Sequence, residues 1–226
     1  MLPGDAKSST GVQSTNARGR RPWLSSLLPL FPLDLVLFPG TPLPLHIFEP
    51  RYREMIGECL AQKRPFGVLR AKDEGVADIG CTAEIVTVTK KYEDGRMDIV
   101  TQGVERFEVM EVNQERAFLQ GEVVYLHDEP GRATAEDVAR AVKLHNEILA
   151  LAGAEQQKPS EEEIAQLSFH IAGSMPLDLD FKQNLLGMKS EPERLQAVIT
   201  YFETILPNLR RTVHVRRKAG GNGHAS

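Results

Sequence analysis

Between Leu28 and Tyr52 the chain carries six of its 14 prolines, five of them beside a large apolar side chain. Proline fixes φ, removes an N–H and pushes its predecessor into extended geometry. The stretch therefore cannot be the middle of a helix or of a sheet. Nor is it a solvated proline-rich linker, because such linkers lack apolar residues to bury. It reads as three short extended pieces, Leu28–Phe31, Leu35–Phe38 and Leu43–Phe48, laid along sheet edges or barrel corners. Phe38 and Phe48 are both expected in the core. Pro39-Gly40 suits a type II turn, with glycine supplying positive φ at its third position. Glu49-Pro50 opens a helix to about Ala61, with Arg51, Tyr52, Met55 and Ile56 at helical spacing.

Downstream the period is two. Phe66–Arg70 is a short strand, and Ala71–Ala77 a polar loop. In Ala83–Lys90, Ile85, Thr87 and Thr89 share one face and Val86 and Val88 the other. Glu93-Asp94-Gly95-Arg96 is a hairpin turn, followed by a strand over Met97–Gln102, a bulge or corner at Gly103, and strands over Val104–Val112 and Ala117–Leu126. About six or seven short, mostly antiparallel strands before residue 128 predict a small, partly closed barrel. After Asp128-Glu-Pro-Gly131 the pattern turns helical. Capping-box spacings stand at Thr134/Asp137, Ser160/Glu163 and Ser190/Glu193, and apolar residues recur at 3.6 up to Leu206. A further helix is expected over Leu177–Leu186. All-β followed by all-α gives an α+β chain: a barrel over 26–130 and a helical bundle over 131–206. Residues 1–25 and 207–226 are expected to be disordered tails.

The charge is unevenly placed. The net charge is −4, but residues 1–22 carry +3 and residues 207–226 carry +5, leaving the body, 23–206, at −12. An acidic body argues against a dedicated nucleic-acid binder, which needs a basic face on the domain itself. No run reaches the length of a membrane span, and the first 22 residues lack the apolar stretch of a secretory leader. A cytoplasmic protein is expected. Cys59 and Cys81 then read as buried small hydrophobes rather than a disulfide or a metal site. No cofactor or metal is expected.

Several segments together resemble the substrate-binding (N-terminal) domain family of the Lon proteases. They are Leu28-Pro-Leu-Phe-Pro-Leu33, Leu37-Phe-Pro-Gly40, and Leu43-Pro-Leu-His-Ile-Phe-Glu-Pro-Arg-Tyr52, followed by Ile79-Gly80, Ala83-Glu-Ile85, Asp94-Gly-Arg96 and Gly103-Val-Glu-Arg-Phe107. Ser168-Phe169, Lys182-Gln-Asn-Leu-Leu186 and Arg194-Leu195 carry the resemblance into the helical half. It implies a PUA-like barrel with helices behind it, in agreement with the periodicity. The Lon ATPase and protease segments have no counterpart here. There is no Gly-x-x-x-x-Gly-Lys-Ser/Thr loop to cradle phosphate, and no nucleophile serine in a Gly-rich motif followed by a catalytic lysine. The expected function is accordingly a non-catalytic protein- or peptide-binding module, an adaptor in protein quality control. The alternative, from PUA-like folds generally, is RNA or nucleotide binding.

Glu49, Arg51 and Tyr52 are the candidate peptide-contact residues, at the barrel mouth and in the segment that carries substrate contact in the resembled family. Tyrosine brings a large apolar face with a polar tip, and arginine a planar fork for main-chain carbonyls. The bland reading is that Arg51 pairs with Glu49 and Tyr52 packs inward. His46 has no serine, cysteine or second histidine at triad spacing, so a hydrogen-bonded structural role is expected.

Overall fold

The computed structural model describes residues 27–221, with side chains described as far as Val215; the expectations for residues 1–25 lie outside it. The first half contains β1 (Leu28–Leu33), β2 (Pro42–Ile47), α1 (Pro50–Gln62), β3 (Phe66–Arg70), β4 (Ile79–Lys91), β5 (Met97–Asn113) and β6 (Leu119–Leu126). The second half is helical: α2 (Ala135–Ala152), α3 (Glu161–Ile164), α4 (Leu167–Ser174), α5 (Leu179–Gly187) and α6 (Glu191–Gly221). This is the α+β order that the two periods predict.

The sheet is built around β5, a single strand of 17 residues where two were expected. Gly103 does not end it. The strand bulges between its pairings to Cys81 and Ala83, which bends the ladder without breaking it. One flank of β5 is covered by β4. The other is shared in succession, by β2 over Met97–Gln102 and by β6 over Arg106–Asn113. β1 runs parallel to β3 and antiparallel to β6, so the sheet curls back on β5 as a partly closed barrel, with β2 at an edge. β2 meets that edge as proline chemistry requires. Gly103 N–H donates to Thr41 O at 2.9 Å. Antiparallel alternation from there turns the nitrogens of Pro42 and Pro44 away from β5, where no ladder hydrogen bond is lost.

The middle extended piece is not a strand. Val36 and Phe38 leave the barrel and join the helical core, where the Phe38 ring stacks 5.2 Å from Phe169. Leu37, between them, faces the barrel core with Phe31, Ile47, Met55 and Phe66. Pro39-Gly40 then makes the expected turn, with φ +76° at Gly40 and Thr41 N–H donating to Phe38 O. Gly103 packs so closely here that a Cβ would lie 2.1 Å from Phe38 O, which fixes glycine at that position.

A buried charge network joins the halves. Arg106 on β5 donates to the carbonyls of Leu186 and Met188 at 2.7 and 2.6 Å and pairs with Asp128. Arg194 on α6 meets Asp128 at 2.6 Å and Glu191 at 2.9 Å, while Glu191 accepts from both the N–H and the hydroxyl of Ser168. Two cations and two anions balance, and the carboxylate oxygens are all engaged, the condition under which buried charge is tolerated. The Arg194 and Arg106 guanidinium carbons lie 4.1 and 5.3 Å from the Phe169 ring centre. Arg70 to Asp180 at 2.6 Å, and Gln183 to Ile79 O at 2.9 Å, add ties between the halves.

The second expected bundle helix is broken at Gln166 (φ −136°, ψ 44°) into α3 and α4. The expected capping bonds are present at Thr134, Ser160 and Ser190. α6 runs past its expected end at Leu206, with an exposed Pro207 inside it. The described part of the expected C-terminal tail is therefore helix. No helix among the described residues is long and apolar enough to cross a membrane.

Candidate functional site

β2 alternates, with Leu43, Leu45 and Ile47 facing inward, and Ile47 is 1% exposed. Phe48 comes next in phase, just before the extended N-cap Glu49 and Pro50 at the start of α1, and it is 59% exposed. The expectation of a buried Phe48 is corrected here. Phe38, by contrast, is fully buried. An aromatic left this far out is uncommon in a chain able to bury its large side chains.

Phe48 does not stand alone. Its ring stacks on His46 at 6.0 Å, and His46 meets Tyr92 edge-on at 5.8 Å. Asp98 ties the group: its two carboxylate oxygens contact His46 Nδ1 at 2.5 Å and accept from the Tyr92 hydroxyl at 2.9 Å. The bond from His46, then that from Tyr92, holds the Asp98 carboxyl below the usual carboxylate range. His46 is thus the hydrogen-bonded histidine expected from sequence, but a surface one. Lys90 Nζ and the Arg96 guanidinium carbon lie 4.5 and 4.9 Å from the Tyr92 ring centre. This cluster sits where β2 ends and the β4–β5 hairpin turns.

Glu49 and Arg51 adjoin it. Arg51 Nε donates to Glu49 Oε2 at 2.9 Å, and its guanidinium lies 4.6 Å from the Tyr52 ring centre. Tyr52 is turned inward, 8% exposed, with its ring 4.1 Å from Phe31. Burial pushes its phenol above the ordinary value. So the structure keeps Glu49 and Arg51 at the surface beside Phe48 and commits Tyr52 to packing. Sequence reasoning missed Phe48 and Tyr92. The signal was present in β2 itself: counting in twos from Leu43 places Phe48 on the outer face.

The other end of β2 opens on a cleft of about 570 Å³ between the halves. Thr41, Pro42 and Gln102 form its barrel wall, with Glu163, Gln166 and His170 facing them from the helices. His170 Nδ1 lies 3.3 Å from Glu163 Oε1, and Glu163 Oε2 accepts from Ser160 N–H at 2.6 Å. Ahead of α4, the helical wall lies within residues 152–166, none of which is buried.

Chemistry of the reactive kind has little to stand on among the described residues. Cys59 and Cys81 are free and buried, and desolvation pushes their thiols up to about 11 and about 12, away from the nucleophilic thiolate. Among the described residues, no group of three or more His, Cys, Asp or Glu is placed to hold a metal.

The family model described as the ATP-dependent protease La (LON) substrate-binding domain matches residues 27–203. A Lon protease of Parabacteroides distasonis is 30% identical over 59% of this chain and 17% of its own length. A Lon protease of Anaeromyxobacter dehalogenans is 29% identical over 78% of this chain and 23% of its own length. The chain therefore spans only a small part of these relatives. Among solved structures, the Lon N-terminal domain protein of Xanthomonas campestris is 26% identical, with a TM-score of 0.64, covering 78% of this chain and 98% of that one.

Proposed function

Because the chain belongs to the Lon substrate-binding domain family, we propose that it is a binding module that takes up extended segments of other proteins and performs no chemistry of its own. In this reading it acts as an adaptor that offers captured chains to a protease. The carrying observation is Phe48, exposed at one end of β2 while the cleft opens at the other. Six residues of strand separate them, roughly 20 Å, a span suited to an extended segment of similar length.

The surface between is a face rather than a ladder. Pro44 stands across from Val100, and Val100 across from Thr87; His46 stands across from Asp98. Pro42 and Pro44 have no N–H to offer along the free edge, so a segment adding there as another strand forgoes two donors. Capture then rests on side-chain contact with the outer face of β2, β5 and β4, with Phe48 as its anchor. Arg51 and Glu49 follow that anchor in the chain, and Tyr52, packed on Phe31, lies under the Arg51 guanidinium.

The test is fluorescence anisotropy with labelled casein, an unfolded acceptor. Phe48→Ala should weaken binding by roughly thirty-fold, the equivalent of about 2 kcal/mol at an interface hot spot. Neither casein cleavage nor ATP hydrolysis should accompany binding. An unchanged affinity in Phe48→Ala, or cleavage by the pure chain, overturns the reading.

A further inference from the structure

The region around Phe48 differs in charge from the rest of the molecule. Residues 23–206 sum to −12, yet the hairpin tip gathers Lys90, Lys91, Arg96, Arg51 and Arg53. Most carboxylates nearby are already engaged. Asp94 accepts from the Arg96 side chain at 2.6 Å and from its N–H at 3.1 Å. Glu49 holds Arg51, and Asp98 is taken by His46 and Tyr92. Lys90 stands across from Asp98 and interacts with its charge, and Glu93 is exposed in the turn. The five cations and the four carboxylates Glu49, Glu93, Asp94 and Asp98 leave the tip at +1, against −12 for residues 23–206. The tip is thus a small positive island that carries exposed aromatic rings.

We propose that this tip selects its segments: it binds an aromatic or large apolar residue flanked by carboxylates, in preference to the same residue flanked by cations. The proposal rests on the reading of the chain as a segment-binding module and names the class of segment that module takes. The aromatic residue packs on Phe48 and His46. A flanking carboxylate meets Lys90, which lies over Tyr92 on this face, and is attracted more weakly by Lys91 on the other side of the strand; elsewhere on this acidic body carboxylates are repelled. Lys90 is held over the Tyr92 ring, which positions its ammonium beside the aromatic cluster. Asp98 keeps its charge, but both its oxygens are already hydrogen-bonded, to His46 and the Tyr92 hydroxyl. The cations are exposed, so the preference must be strong at low salt and fade as the screening length falls below the spacing of the charges.

Two labelled synthetic peptides test it, one of sequence Glu-Asp-Leu-Phe-Glu-Asp and one with every carboxylate replaced by Lys. Binding is followed by anisotropy at about 50 mM and about 500 mM salt, with casein alongside. The acidic peptide should bind roughly ten-fold more tightly than the basic one at low salt, and the ratio should fall toward one at high salt. Lys90→Glu with Lys91→Glu should reverse the order, and Phe48→Ala should weaken both peptides. Equal affinities at low salt overturn the proposal, as does a preference that survives the lysine reversal. Casein capture with no uptake of either peptide overturns it too, while leaving the segment-binding reading intact. Failure with casein and both peptides alike ends both. Tight binding of a uridine oligonucleotide, lost with the two lysines and seen without peptide binding, overturns the proposal in favour of nucleic acid.

Discussion

Phe38 and Phe48 lie ten residues apart in one proline-rich stretch, and each is the last aromatic of an extended piece, Phe38 before a turn and Phe48 before α1. Phe38 ends at 0% exposure against Phe169, and Phe48 at 59%. The difference lies in what each piece pairs with. Leu35–Phe38 has no strand partner, so its side chains point by packing demand alone, two toward the helices and Leu37 toward the barrel. The β2 piece is locked to β5 in register, and a ladder of period two allows no exception for a large side chain at the wrong parity. The first region gives up regular structure to bury everything. The second keeps regular structure and leaves a phenylalanine in water.

The contrast can be broken most violently at Phe38. Phe38→Ala should cost about 3–5 kcal/mol and should lower the urea midpoint of the barrel and helical signals together, because the ring fills the joint between them. Separate transitions for the two halves would show that the joint is not shared. Next is Asp128→Ala, which strands Arg106 and Arg194. Removing one partner of a buried pair costs about 3–5 kcal/mol. The low end is expected here, since Asp128 is 28% exposed.

A smaller effect is carried by pH. His145 is 3% exposed, and burial, then the neighbouring His170, holds its pKa below the ordinary histidine value. Its folded pKa being depressed, the unfolded chain binds the proton more readily. Stability is then present above about pH 6.5 and falls as the pH drops below it. His145→Leu should flatten that slope between about pH 7 and 5 in thermal melts. At the other end of the scale, Phe48→Ala should shift unfolding by less than about 0.5 kcal/mol, the range of a surface change, although it weakens capture. A destabilised Phe48→Ala with normal capture would make the two phenylalanines alike and remove the contrast.

Local chemistry made much of this legible. Alternation announced the strands, Asp94-Gly95 the hairpin, and Ser160 with Glu163 a capping box that the structure reproduces. What stayed hidden depended on partners distant in sequence. The parallel β1–β3 pairing has no signature in either strand alone. β5 looked like two strands because Gly103 suggests a corner, whereas glycine is required there by the close approach of Phe38 O. Of the three candidate site residues, sequence alone left the direction of each side chain open. Glu49 and Arg51 stay at the surface, but Tyr52 turned inward because Phe31 offers its ring a partner at 4.1 Å. α6 outran Pro207 because that residue sits on an exposed face, where a missing N–H is tolerated.

The placement of Phe38 also bears on the order of events when a ribosome makes this chain. Val36 and Phe38 emerge early, but the residues that cover them lie between Ala141 and Leu206. Arg106 likewise waits for the carbonyls of Leu186 and Met188. The N-terminal strands can pair as they appear, yet the Phe38 ring has nothing to pack against until the helical half has been made. Contacts of such long sequence separation are slow to form and leave apolar surface open meanwhile. A nascent chain halted near Gly131 would therefore be a barrel with an uncovered phenylalanine at its base, a species for chaperones to hold.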